Sequence, residues 1–268
     1  MSQEVTAALQ EPVVLDEQPS ALSKVPEVTL LFWIIKVAAT TLGETGGDAV
    51  TMSMGLGYLL GTLIFAAIFA GAVLAQIAAR KFHPTLYWTT IIATTTVGTT
   101  LADLATRDIG IGYAGGSLLL LGLLGASLLA WHRTLGSVSF KDLSRPSAEV
   151  FYWIAIMFSQ TLGTALGDWT ADSADFGYGG AAVIFGSMLA VVAGLYFATR
   201  ISRVALFWAA FILTRPLGAV VGDFLDKPHD HGGLALSRYS ASLALLIFIA
   251  FCLLVFRHRP ATRGEHGH

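Results

Sequence analysis

Long apolar runs alternate with short polar breaks along this chain. Eight runs reach the roughly 20 residues that a helix needs to cross a hydrocarbon core. They are residues 28–48, 54–79, 86–105, 112–132, 150–171, 177–198, 204–224 and 234–256. Gly and Pro punctuate the breaks, as in Lys81-Phe82-His83-Pro84 and Ser144-Arg145-Pro146. The pattern predicts an all-α, polytopic membrane protein with eight transmembrane helices over residues 27–256. Residues 1–26 and 257–268 lack such runs and are expected to be disordered tails. The first tail carries Glu4, Glu11, Asp16 and Glu17, without the basic start and apolar core of a secretory signal.

Basic residues fall unevenly on the two sides of this alternation. One side holds Lys24, Arg80, Lys81, Arg133, Lys141, Arg145, Arg200, Arg203, Arg257, Arg259 and Arg263; the other holds Arg107, Lys227 and Arg238. Positive charge collects on the cytoplasmic side. Both termini are therefore expected in the cytoplasm, with the loops after helices 1, 3, 5 and 7 facing outward. Composition agrees with a membrane setting, because only 13% of residues are charged, against about a quarter in soluble domains. A net charge of -2 gives no reason to expect nucleic acid as a partner. The single cysteine, Cys252, can form neither an internal disulfide nor a multi-Cys metal site.

A repeat underlies the runs. Phe32-Trp33, Tyr87-Trp88, Tyr152-Trp153 and Phe207-Trp208 each precede a glycine by ten residues from the Trp (Gly43, Gly98, Gly163, Gly218). Each also precedes an aspartate by fifteen (Asp48, Asp103, Asp168, Asp223), and a further glycine follows nine residues on (Gly57, Gly112, Gly177, Gly232). Four copies result, at about 27–80, 81–133, 147–200 and 201–256. Their common orientation predicts four parallel helical hairpins rather than inverted repeats.

This pattern resembles a family of bacterial membrane proteins with four tandem copies of a two-helix repeat of unknown function. The resemblance spans roughly residues 27–256. It implies the eight-helix architecture and a bacterial inner membrane, and supplies neither a substrate nor functional residues.

Candidate chemistry must come from the repeated residues themselves. Each Trp, near the cytoplasmic end of its helix, is expected to be an interfacial anchor. Each Asp lies about 22 Å further along, past the midplane. Four carboxylates at one depth are costly in a membrane and suggest a cation or proton site; the competing reading is that each caps an outer turn. Glu44 lies one turn below Asp48. Lys36 and Arg215, inside predicted helices, are candidate counter-ions. Thr41, Thr96, Gln160 and Thr161 offer oxygen ligands nearby, suited to hard cations. Asp226, His229, Asp230 and His231 form the one His-bearing outer loop, either a weak transition-metal site or a plain polar loop.

Several signatures are missing. The residues three before the aspartates are Thr45, Thr100, Ala165 and Val220, so the Gly-x-Gly-Asp of intramembrane proteases is absent. Glu44-Thr45-Gly46-Gly47-Asp48 only approximates the Glu-x-Gly-Asp of a cation–proton exchanger family. There is no Walker loop, Gly-x-Ser-x-Gly or paired-Cys motif. Neither enzyme activity nor a cofactor is expected. The leading expectation is secondary transport of a small cation, with a divalent metal such as manganese and proton exchange as candidates. The alternatives are a non-transporting scaffold or complex subunit and an organic-solute transporter. The expected partners are membrane lipid, the cation and protons, with a homo-oligomer left open.

Overall fold

The computed structural model describes residues 24–79, 81–136, 138, 145–173 and 176–261. It contains eight long helices: α1 (Leu30–Asp48), α2 (Gly57–Ala78), α3 (Pro84–Asp103), α4 (Gly112–Leu135), α5 (Pro146–Asp168), α6 (Gly177–Ala198), α7 (Arg203–Asp226) and α8 (Arg238–Val255). Their starts follow local chemistry. Thr29 and Ser202 accept hydrogen bonds from the Phe32 and Ala205 amides, and Pro84 and Pro146 open α3 and α5. After α1, α3 and α5 the chain passes directly into one π-helical turn, at Ala49–Ser53, Leu104–Asp108 and Trp169–Ser173. The recurring Gly57, Gly112, Gly177 and Gly232 then take φ between +62° and +78°. Only glycine adopts that conformation without strain, which explains their fixed distance from the aspartates.

The odd-numbered helices form a closed inner ring in the order α1, α3, α5, α7 and back to α1. Their Trp ends meet at one end of the ring and their Asp ends at the other, so the four run parallel. The expected hairpins are not the packing unit, because the two helices of a copy join through their turn rather than face to face. Instead α2 packs on α3, α4 on α5, α6 on α7 and α8 on α1. Each outer helix therefore covers the inner helix of the next copy.

The two classes of helix bury different things. The outer helices are strongly apolar and expose Leu59, Leu63, Leu118, Val183, Phe197 and Leu254. The inner helices bury threonines and charges, including Lys36, Glu44 and Arg215. Six of the eight helices are long and apolar enough to cross a membrane; α1 and α3 fall short because they carry the ring's polar lining. The large exposed apolar surface is compatible with a multi-pass membrane protein.

The ends are more ordered than the hydropathy pattern predicts. Pro26 pairs with Pro260 in an antiparallel bridge, with Glu27 N donating to Arg259 O and Ala261 N to Val25 O. Val25 is buried, and Lys24 reaches Glu149 at 2.5 Å. Within residues 24–26 and 257–261, which the hydropathy pattern placed in the tails, this bridge, the buried Val25 side chain and the Lys24–Glu149 pair hold the chain in place. Residues 1–23 and 262–268 lie outside the described residues.

Candidate functional site

The close approach of the inner helices is built by glycine. A Cβ on Gly43 would collide with Thr95 of α3, one on Gly163 with Arg215 of α7, and one on Gly218 with Thr40 of α1. On Gly98 it would come within 3.1 Å of Gln160 of α5. The four contacts are equivalent: the residue seven after one Trp sits on the glycine ten after another. This repeated notch closes the ring and turns one row of each helix inward.

Along that row, every fourth residue faces the axis and forms layers. The first is aromatic: Phe32, Tyr87, Tyr152 and Phe207. The Tyr87 and Tyr152 hydroxyls lie 3.4 Å apart, and the Phe32 and Phe207 rings 6.3 Å apart. Trp88 and Trp153, 1% and 2% exposed, belong to this plug and not to a lipid interface. Trp33 and Trp208 are half-buried and join it against Phe207 and Phe211. The anchor expectation fails for Trp88 and Trp153, because the outer helices cover them. The second layer is Lys36, Ile91, Ile156 and Phe211. Lys36 Nζ sits 4.2 Å from the centre of the Phe211 ring and makes no hydrogen bond. Among the described residues it pairs with no carboxylate, contrary to its expected counter-ion role.

The third layer is Thr40, Thr95, Gln160 and Arg215, all fully buried. Arg215 spans the axis. Its Nε donates to Gln160 O at 3.2 Å and its Nη1 to Thr40 O at 3.1 Å. Its Nη2 meets Glu44 Oε2 at 3.1 Å, Thr95 O at 3.3 Å, Thr99 Oγ1 at 2.6 Å and the Thr164 hydroxyl. Glu44, Thr99 and Thr164, with Ala219, are the fourth layer.

The fifth layer brings all four aspartates together, each 1% exposed. Lys227 Nζ bridges Asp48 (2.7 Å) and Asp223 (2.9 Å), and Arg107 bridges Asp103 (3.1 Å) and Asp168 (2.9 Å). Arg238 adds Asp226 at 2.8 Å and Asp48 at 3.7 Å. Carboxylate oxygens of Glu44, Asp168 and Asp223 lie within 4.8 Å of one another, as do those of Asp48, Asp223 and Asp226. Asp48 and Asp103 make no side-chain cap at the turns that follow them, so turn-capping does not account for these two. Burial works against the Lys227 ammonium, yet Asp223, Asp48 and Asp226 hold it protonated well above the usual lysine range. Arg107 is held charged in the same way by Asp103 and Asp168.

The other candidates separate. Thr41, Thr96 and Thr161 fall one residue off the axial row; the Thr96 and Thr161 hydroxyls bond to Ile92 O and Met157 O of their own helices. Gln160 lies in the third layer, and neither of its side-chain amide atoms has a hydrogen-bond partner among the described residues. Among the outer-loop candidates, Asp226 belongs to the carboxylate cluster, whereas His229 turns Nδ1 to Gly233 O at 2.9 Å and Asp230 is exposed. The His231 side chain lies outside what the structure describes. Sequence reading missed Thr99, Thr164, Arg107, Lys227 and Arg238. A four-residue step back from each Asp would have found the two threonines. The three bases sit in or beyond the turns, where spacing carries no such signal.

The fold and site define an all-helical, fourfold-repeat protein with an aromatic plug at one end of its axis and paired carboxylates at the other. The model of the Repeat of Unknown Function (DUF347) matches residues 31–82, 86–137, 151–202 and 206–260, and the chain belongs to that family. No curated protein and no solved structure matches the chain.

Proposed function

We propose that this protein is an integral membrane protein of eight transmembrane helices, with both termini cytoplasmic, that carries a small cation through its inner ring. A bacterial inner membrane is its proposed location. The cargo is a hard divalent ion of the manganese type. The observation that carries this reading is the convergence of Glu44, Asp48, Asp103, Asp168 and Asp223 on one axis inside an apolar sheath. A structural role alone would not require five acids there, since paired charges in an apolar interior are often no more stabilising than well-packed apolar residues. With Asp226 the cluster has six carboxylates against Arg107, Arg215, Lys227 and Arg238. This excess of acids over bases favours a cation as cargo. Hydroxyl and carbonyl oxygens from the threonine layers complete a ligand set that such ions favour. Carboxylates that release a metal ion need another positive charge in its place. Protons are one source, and Arg215 is already there.

The test is flux in proteoliposomes of the purified protein. Wild type is expected to move Mn2+. Asp223→Asn and Glu44→Gln should each raise the half-saturating concentration about tenfold or more, the equivalent of ~1.4 kcal/mol. Unchanged flux in both variants would reject the acids as the cargo site. A non-transporting scaffold predicts no wild-type flux for any cation.

A further inference from the structure

We infer that Arg215 is a tethered substitute for the cargo cation, and that its side chain resets the empty site so that no exchanged ion is obligatory. The inference rests on the transport reading and concerns the return step.

The guanidinium is surrounded by six oxygens from three other helices. They are the Thr40, Thr95 and Gln160 carbonyls, the Thr99 and Thr164 hydroxyls and a Glu44 carboxylate oxygen. This is the donor set of a hard-cation site: carbonyl, hydroxyl and carboxylate oxygen, with no nitrogen or sulfur. An organic cation built into α7 therefore stands beside the Glu44–Asp168–Asp223 group. It neutralises charge that an emptied site would otherwise expose to a low-dielectric interior.

Arg215 also breaks the fourfold pattern in a specific way. The same layer holds Thr40, Thr95 and Gln160 in the other copies, so the notch accepts neutral side chains. Ring closure alone does not call for a cation. Pro216 follows directly inside α7. Its missing N–H frees the Ile212 carbonyl and makes this turn a place where the helix can bend. Gln160 offers a destination, because both polar atoms of its amide are buried without partners in the layer Arg215 would leave through. A cargo ion arriving at Glu44 displaces the guanidinium. Its departure lets the guanidinium return, and Glu44 is paired again while the site is free of cargo.

The consequence is a particular split between two fluxes. Proteoliposomes loaded with Mn2+ are diluted either into chelated, Mn2+-free buffer at equal pH with a permeant anion to carry the balancing charge, which reads net efflux, or into Mn2+, which reads exchange of labelled ion. Wild type should show both. Arg215→Gln should retain exchange and lose net efflux, because its cargo-free site keeps an uncompensated carboxylate. Arg215→Lys should restore net efflux. The double variant Arg215→Gln with Glu44→Gln, which removes both halves of the pair, should recover it as well once the loaded Mn2+ is raised about tenfold to offset the lost ligand. Wild type that exchanges without net efflux at equal pH overturns the inference with no variant needed. So does Arg215→Gln with a wild-type ratio of the two fluxes, or a double variant that still only exchanges. Wild type lacking both fluxes refutes the transport reading instead.

Discussion

Glycine and charge divide the labour at the residue level. Gly218 has no room for a Cβ against Thr40, whereas Gly71 on the outer face of α2 has nothing within 4 Å. Gly218→Val should therefore part α7 from α1 and cost about 1–3 kcal/mol. Gly71→Ala should stay within about 0.5 kcal/mol of wild type. Thermal unfolding in detergent compares the two directly. Glu44→Ala should be worse than either, because it leaves Arg215 buried and unpaired; the expected loss is about 3–5 kcal/mol. Restoring stability with Arg215→Gln in the same chain would show that the cost lay in the orphaned charge. Of these residues, Glu44, Arg215 and the four aspartates stood out in the sequence, since charge inside an apolar run is conspicuous. Thr99 and Thr164 did not, because threonine is common in these helices and only the axial register separates Thr99 from Thr96.

Among the elements, helix ends were legible and helix partners were not. The apolar runs place all eight helices to within a few residues, because Pro, Gly and capping hydroxyls mark their starts. Hydropathy cannot say which helix covers which, since an outer helix presents the same apolar face to lipid and to any neighbour. That is why the hairpin expectation paired α1 with α2, although α2 lies on α3. For the same reason the Trp residues read as interfacial: their burial depends on a neighbour supplied by another copy. The turns carry a sharper signal. Gly112 has φ +68° at the start of α4 with open space around it, so Gly112→Ala tests backbone strain alone. It should cost about 1–2 kcal/mol, read as a lowered unfolding temperature. Gly122→Ala, also in open space but within α4, should not lower it.

For the molecule as a whole, the proposed orientation is tested by labelling single cysteines in a chain carrying Cys252→Ser. An impermeant maleimide should label Asp230→Cys in intact cells, and Thr134→Cys only after permeabilisation; the reverse pattern would invert the topology. The ends matter as much as the middle. Lys24 holds the Gln76 and Ile77 carbonyls together with Glu149, so Lys24→Ala should destabilise the chain by about 1–3 kcal/mol. Beside it, the bridge between Pro26 and Pro260 sets the first and last described segments side by side, while α8 completes the outer cover by packing on α1. Which copy comes first is thus nearly a matter of indifference to the finished circle. A circular permutant that joins Ala261 to Lys24 by a short linker and opens between Gly136 and Arg145 would keep every helix pairing. It should insert, purify as a single species and unfold near the wild-type temperature.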